Sequence, residues 1–311
     1  MEVLAIGTSE DIDVVRDRLS TEFRFLEEEG FNVSISESER GHLHFLDCRL
    51  GGHRRLSRRD AVESFRHYVA NALSDVIINE WERSLIRRMI RTGYYYFSEQ
   101  EQDSIYNYAR RGLTGETGDG DKEADFLYKI NRKGRVLEKL LEYLKSNNEL
   151  VIEGFITFRL REYVADLEDA VDRAVDDFLL EREYHEFIRL LKYFVEAQEP
   201  KLDLVHVFLS PDGTFKLVDS QQNVINNEYL EEFVAEMIDS EVNYEDLLVS
   251  ALITIAPKTL TVHTRKVEGP DETLETIRNV FGNRAKFCYG CPLCEERGRL
   301  KSAQVKGTSE P

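Results

Sequence analysis

Three cysteines within seven residues, Cys288-Tyr289-Gly290-Cys291-Pro292-Leu293-Cys294, place the tightest local constraint on this chain. Thiols two residues apart can reach one ion only if the backbone between them folds back, so this C-x2-C-x2-C run demands a tight turn at the end of a strand-like segment. The spacing suits tetrahedral zinc or three corners of an iron–sulfur cluster. A bacterial ferredoxin pattern would place a fourth cysteine at position 298. Gly298 stands there and no Cys-Pro follows, which disfavours the cluster. Cys291-Pro292-Leu293-Cys294 is also similar to a thioredoxin-like or glutaredoxin-like redox pair, but those folds continue after the motif and here only the largely polar 295–311 follows.

Zinc needs a fourth ligand, and chain topology offers one. The segments Thr259–His263 and Arg284–Cys288 read as strands flanking a helix over 271–281, a βαβ pattern. A right-handed crossover makes such strands parallel, so both end at the same sheet edge and His263 falls beside Cys288. The expected metal site is therefore Cys288, Cys291, Cys294 and His263, with zinc as the cofactor. Cys48 is the rival fourth ligand and would instead tie the two halves of the chain together. Two further arrangements have simpler explanations. His42, His44 and Cys48 share a strand parity, but Leu43 and Phe45 facing the other way fit an ordinary half-buried strand. His185 follows Glu181 by one helical turn, yet Arg189 stands where an H-E-x-x-H motif needs its second histidine. Neither a Walker A motif nor G-x-S-x-G occurs, so no catalytic site is identifiable and binding or regulation is the expected mode of action.

Charge limits the partners. The net charge of -18 opposes wrapping of nucleic acid over the whole surface, because each bound phosphate needs a nearby cation. The first 113 residues nevertheless hold 16 arginines and no lysine against 20 acids. Arg54, Arg55, Arg58 and Arg59 straddle a helix start at Ser57, where free backbone N–H groups favour anions, so a phosphate, nucleotide tail or RNA backbone could dock there. Arg83, Arg87 and Arg91 recur on one helical face before Tyr94-Tyr95-Tyr96, and a solvated, ion-paired face accounts for them. The start of the chain lacks a signal-peptide pattern, and no stretch reaches the ~18 apolar residues of a bilayer span, so a cytoplasmic protein is expected.

An apolar share of 41% can fill two cores, and the periodicities give an α+β fold in two parts. A short strand over 3–7 precedes a helix bearing Ile12, Val15, Leu19, Phe23 and Leu26 on one stripe. A hairpin follows, turning at Arg40-Gly41, and then long helices over 57–91 and up to about Arg111. The Gly- and acid-rich segment 112–122 reads as a linker between an arginine-rich part, 1–111, and an acidic domain, 123–294, with a disordered tail over 295–311. The acidic domain is expected to hold a helix over 123–147, a strand from Val151 to Leu160 and a long helix over 161–197 that turns Phe187, Leu191 and Phe194 inward. A hairpin through Ser210-Pro211-Asp212-Gly213, helices at 227–238 and 244–255 and the terminal βαβ unit complete its mixed sheet.

Several strings share their order and spacing with a known family: Phe158-Arg159-Leu160-Arg161-Glu162-Tyr163, Leu167-Glu168-Asp169-Ala170-Val171-Asp172, Glu186-Phe187-Ile188-Arg189-Leu190-Leu191, Ala197-Gln198-Glu199-Pro200-Lys201-Leu202-Asp203-Leu204-Val205-His206 and Ser250-Ala251-Leu252-Ile253-Thr254-Ile255-Ala256-Pro257. With these the chain resembles the YtxC (YtxC-like) family of sporulation proteins from endospore-forming bacteria, from Trp81 to near the cysteines. Protein partners in sporulating cells are expected from the binding mode of action above, and the resemblance itself implies a cytosolic, sporulation-associated protein. It carries over no catalytic residue.

Overall fold

The computed structural model describes residues 2–10, 12–53, 56–114, 122–209, 215–225, 244–264 and 272–294. Arg54, Arg55, the turn at 210–213, the helix expected over 227–238, residues 115–121 and the tail 295–311 lie outside them. The fold is α+β with mixed sheets, in two compact units, Met1–Leu180 and Glu181–Pro311.

Unit 1 is built on a four-stranded sheet ordered β2-β3-β1-β4. Strand β1 (Glu2–Thr8) runs antiparallel to β3 (Leu43–His53) and parallel to β4 (Glu149–Val151), while β2 (Phe31–Arg40) closes the hairpin on β3. Gly41 makes the hairpin turn at φ 69°, a left-handed value that costs a glycine little. Helix α1 (Ile12–Glu28) buries the whole expected stripe, Ile12, Val15, Leu19, Phe23 and Leu26. Helix α2 (Arg58–Val76) passes through a π-helical turn at Ile77–Trp81 into α3 (Glu82–Gly93). That wider turn shifts the helical phase, so the Phe65–Val69–Leu73 stripe of α2 and the Leu85, Ile86 and Ile90 stripe of α3 both reach the core. Helices α4 (Glu99–Thr114) and α5 (Lys122–Leu144) complete this layer.

Two expectations change here. The apolar run from Val151 to Leu160 is not one strand: only Glu149–Val151 pairs in the sheet, and Ile152–Arg159 forms helix α6. Its buried residues are Ile152, Phe155 and Ile156, a helical spacing hidden inside a continuous apolar string. The boundary between units also lies elsewhere than 112–122. Val136, Leu140 and Leu144 of α5 share one core with Phe65 of α2 and Ile105 of α4, so the Gly- and acid-rich segment joins two helices of one unit. The division falls within α7 (Arg161–Ala197), whose Leu167, Val171 and Ala174 enter the first core while Ile188 and Val195 enter the second.

Unit 1 also buries charge. Tyr163 donates to Glu82 Oε2 at 2.6 Å inside the core, and Arg132 Nη2 lies 3.4 Å from Glu82 Oε1. Asp75 receives Lys133 at 2.7 Å and is paired with Arg18.

Unit 2 has a sheet ordered β6-β5-β7-β8. Strands β5 (Leu202–Leu209), β7 (Pro257–His263) and β8 (Ala285–Cys288) are parallel, and β6 (Phe215–Asp219) is antiparallel to β5. Helix α9 (Glu272–Phe281) bridges β7 and β8 and ends at Gly282, φ 50°. Val205, Val207, Leu260 and Val262 pack with Leu252 and Ile255 of α8 (Tyr244–Ile255) and with Ile277 and Phe281. On α7 the inward stripe is Ile188 and Val195, with Leu191 at its edge; Phe187 and Phe194, expected inside, are 55% and 47% exposed. The two stripes differ by one residue and share Leu191, so periodicity alone could not choose between them. Among the described residues no helix is long and apolar enough to cross a membrane.

Candidate metal centre

The three parallel strands of unit 2 bring their carboxyl ends to one edge, and strand parity decides which side chains meet there. Inward Val205 and Val207 leave His206 and Phe208 on the opposite face of β5, as inward Leu260 and Val262 leave Thr261 and His263 on β7. Register then aligns them: Phe208 lies opposite His263, and His263 opposite Cys288. The neighbourhood of His263 and Cys288 follows from the parallel crossover, as expected.

After Cys288 the backbone turns. Thr264 N–H donates to the Cys288 carbonyl at 3.0 Å, and the Cys294 N–H donates to the Cys291 carbonyl at 3.0 Å, closing the bend that returns the last two thiols to the strand end. His263 Nδ1 then sits 3.2 Å from Cys294 Sγ and 3.7 Å from Cys291 Sγ, and those two sulfurs are 3.6 Å apart. One ligand atom from each of His263, Cys288, Cys291 and Cys294 lies within 4.8 Å of the others, a group that could hold a metal ion. His263 is only 5% exposed, while the cysteines are half-buried.

Two neighbours orient His263. Its Nε2 is 3.1 Å from His206 Nδ1, and the Phe208 ring stacks on it at 4.2 Å between centroids and 3° between planes. The ring is thus held with Nδ1 toward the thiols. Neither His206 nor Phe208 is evident as a site residue in the sequence; their only signal is a shared parity on β5, which means nothing until β5 is known to pair with β7.

The thiols do not ionise alike. Burial works against a thiolate at Cys291, but hydrogen bonds from the Cys294 N–H, from the Cys294 and Cys288 thiols and from the Leu293 N–H outweigh it and hold Cys291 below the usual thiol range. Burial first, then the hydrogen bond to Cys291 and the nearby sulfur charges, push Cys294 up to about 11. One negative charge is stabilised and a second is resisted, as repulsion between adjacent thiolates requires.

The remaining candidates separate. Cys48 is fully buried in the core of unit 1, 3.8 Å from the Leu46 carbonyl, and burial followed by the Asp47 charge pushes its thiol up to about 12. It belongs to a packed core rather than to a ligand set. His44 lies 3.7 Å from Glu39, and His185 lies 3.6 Å from Glu181 on an exposed helix face. Among the described residues neither joins a metal-ligating group. Arg87 pairs with Asp103 at 2.9 Å and covers the Tyr106 ring, as an ion-paired face requires. Arg58 and Arg59 are exposed at the start of α2, but Ser57 caps that helix by accepting from the Asp60 N–H at 3.2 Å, and its hydroxyl donates to Asp60 Oδ2 at 2.7 Å. Ser57 thus already caps the first turn, and an anion here would rest on the arginine side chains rather than on the helix terminus itself.

A model of the YtxC-like family matches residues 67–286. The protein named uncharacterized protein YtxC, from Bacillus subtilis (strain 168), is 30% identical over 201 residues, covering 64% of this chain and 68% of that relative. No solved structure matches. The family match includes His206 and His263 but ends before Cys288, so a metal reading rests on the geometry of this chain.

Proposed function

The chain belongs to the YtxC-like family, and from that premise we propose a sporulation-associated protein that acts by binding protein partners, with its second unit fastened by one zinc ion on Cys288, Cys291, Cys294 and His263. The sporulation association and the intracellular location are supported by the family resemblance, and the protein-binding role by a sequence with neither a Walker A nor a G-x-S-x-G motif. The zinc reading is carried by one observation, the convergence of three thiols and one imidazole nitrogen at the carboxyl ends of β7 and β8.

The donor set favours zinc. Three soft sulfurs and one nitrogen match a Cys3His structural site. Zinc–sulfur and zinc–nitrogen bonds of about 2.3 and 2.0–2.1 Å in a tetrahedron imply edges of about 3.8 Å between sulfurs and about 3.6 Å from sulfur to nitrogen. The separations of 3.6, 3.2 and 3.7 Å fall close to those edges. Four protein ligands also leave no open coordination position, the arrangement of a structural site rather than a catalytic one. When bound, zinc would offset two of the three thiolate charges and lock the 289–294 turn onto the strand ends. His206 accepts from His263 Nε2–H in that arrangement, fixing the tautomer that leaves Nδ1 free to ligate.

Native mass spectrometry with elemental analysis of the full chain, purified without chelator, tests this reading. One zinc per chain, lost in Cys291→Ser, is the expected result. Metal-free protein would overturn it, and a disulfide between Cys291 and Cys294 in that protein would make the pair a redox dithiol instead.

A further inference from the structure

In unit 1 one face of α2 and the end of α5 enclose a cleft of about 740 Å3. Its α2 wall is set by helical spacing: Arg58, Arg59, Val62, Arg66 and His67 recur at intervals that bring them to one side. Leu141 and Lys145, four residues apart, form the facing wall. Glu63 is the one acid on the lining. A chain of net charge -18 thus gathers four permanent cations around a single concave site. Four cations against one acid around a concave surface give a local positive field that draws in a counter-charge.

The cations have distinct duties. Arg66 fastens the cleft: it donates to Glu2 at 2.6 Å, to the Lys145 carbonyl at 3.3 Å and to Asn148 Oδ1 at 3.3 Å. Its Nε is buried with no partner among the described residues. Arg58, Arg59 and Lys145 are exposed, and their side chains enter no ion pair among the described residues. Three cations without an ion pair among the described residues, beside Val62 and Leu141, form an amphipathic recess.

We propose that this cleft binds a small phosphorylated molecule of nucleotide size, with its phosphates on Arg58, Arg59 and Lys145 and its less polar portion against Val62 and Leu141. The volume lies within the roughly 300–1,000 Å3 of small-molecule sites, and guanidinium groups match phosphate geometry. A nucleic-acid strand fits less well, since a long polyanion needs a basic track beyond one recess and the rest of the chain is acidic.

The test is calorimetric titration of the full chain with ADP, adenosine, pyrophosphate and a short single-stranded RNA, at low and at physiological salt. ADP and pyrophosphate should bind with affinity that falls as salt rises, and adenosine should not. Arg59→Ala combined with Lys145→Ala should weaken ADP by about tenfold or more, the loss expected of two charge-assisted contacts, with the melting curve unchanged. Arg83→Ala combined with Arg91→Ala, which removes equal charge from exposed positions on α3, should leave ADP binding intact. Absence of ADP binding at low salt, an equal loss in the α3 control, or RNA binding that ADP does not displace would overturn the proposal. The Cys291→Ser protein should retain ADP binding, so this result and that of the metal centre are read separately.

Discussion

The two units hold the same functional group in opposite circumstances. Cys48 is sealed among Leu46, Leu50 and the helices of unit 1, its thiol pushed up to about 12 and its sulfur facing a carbonyl. In unit 2, Cys288, Cys291 and Cys294 are half-buried at a sheet edge, grouped with an imidazole nitrogen. Full burial makes a thiol a small hydrophobe with at most a weak S–H donor, whereas partial exposure beside other ligands makes it a ligand. The difference reaches the stability of each unit. Unit 1 closes around a continuous hydrophobic core reinforced by buried ion pairs, while β8 is a four-residue edge strand whose thiol turn lies outside the core. The first should hold without metal, and the second should depend on it.

Removing the proposed ion attacks that contrast most directly. Cys291→Ser, or a strong chelator, should take zinc from one equivalent to near none and lower the melting temperature of unit 2 while leaving that of unit 1 in place, because structural zinc contributes folding free energy outright. Calorimetry showing a single transition that moves as a whole would merge the two units energetically and break the comparison.

The converse experiment strikes unit 1. Arg132→Ala leaves Glu82 buried with only Tyr163 to bond it, and breaking a buried pair this way costs about 3–5 kcal/mol; zinc content should be unchanged. Acid titration of the same unit distinguishes two of its carboxylates, Glu82 and Asp75. Burial raises the Glu82 carboxyl above its ordinary value despite Arg132, Tyr163 and Lys129, so ionising it costs stability as pH rises from about 4.5 through the folded-state pKa. Burial also acts on Asp75, but Lys133 and Arg18 outweigh it and lower its pKa. Its contribution is therefore present above about 3.8 and lost as pH falls through the folded value. Denaturant titrations across pH should show Asp75→Asn removing the acid-side loss and Glu82→Gln removing the opposing slope.

Smaller effects sharpen the picture. His206→Ala removes the partner that orients His263 and should weaken zinc by about 10–100-fold in competition with a chromophoric chelator, without changing the stoichiometry at saturation. Cys48→Ser should leave zinc affinity untouched and destabilise unit 1 by about 1–3 kcal/mol, the cost of burying a hydroxyl in a packed core. Zinc loss in Cys48→Ser would instead assign the fourth ligand to the N-terminal unit.

What was legible in advance was what depends on near neighbours in the chain. The α1 stripe, the Gly41 hairpin, the Ser57 cap and the terminal βαβ unit follow from spacing and turn chemistry, and the parallel crossover carries His263 to Cys288 because its handedness leaves one arrangement. Tertiary packing decided the rest. The run from Val151 to Leu160 is apolar throughout, so only its docking made a three-residue strand and a helix of it, and α7 selected Ile188 over Phe187 by the surface it met. The Gly-rich segment 112–122 proved to lie within one unit because α5 returns to pack on α2. His206 and Phe208 joined the site through strand neighbours more than fifty residues away, and Lys145 reached the arginine cleft through a helix pairing. Periodicity records which face of an element is apolar, but which element covers that face is a long-range choice, made by the whole chain at once.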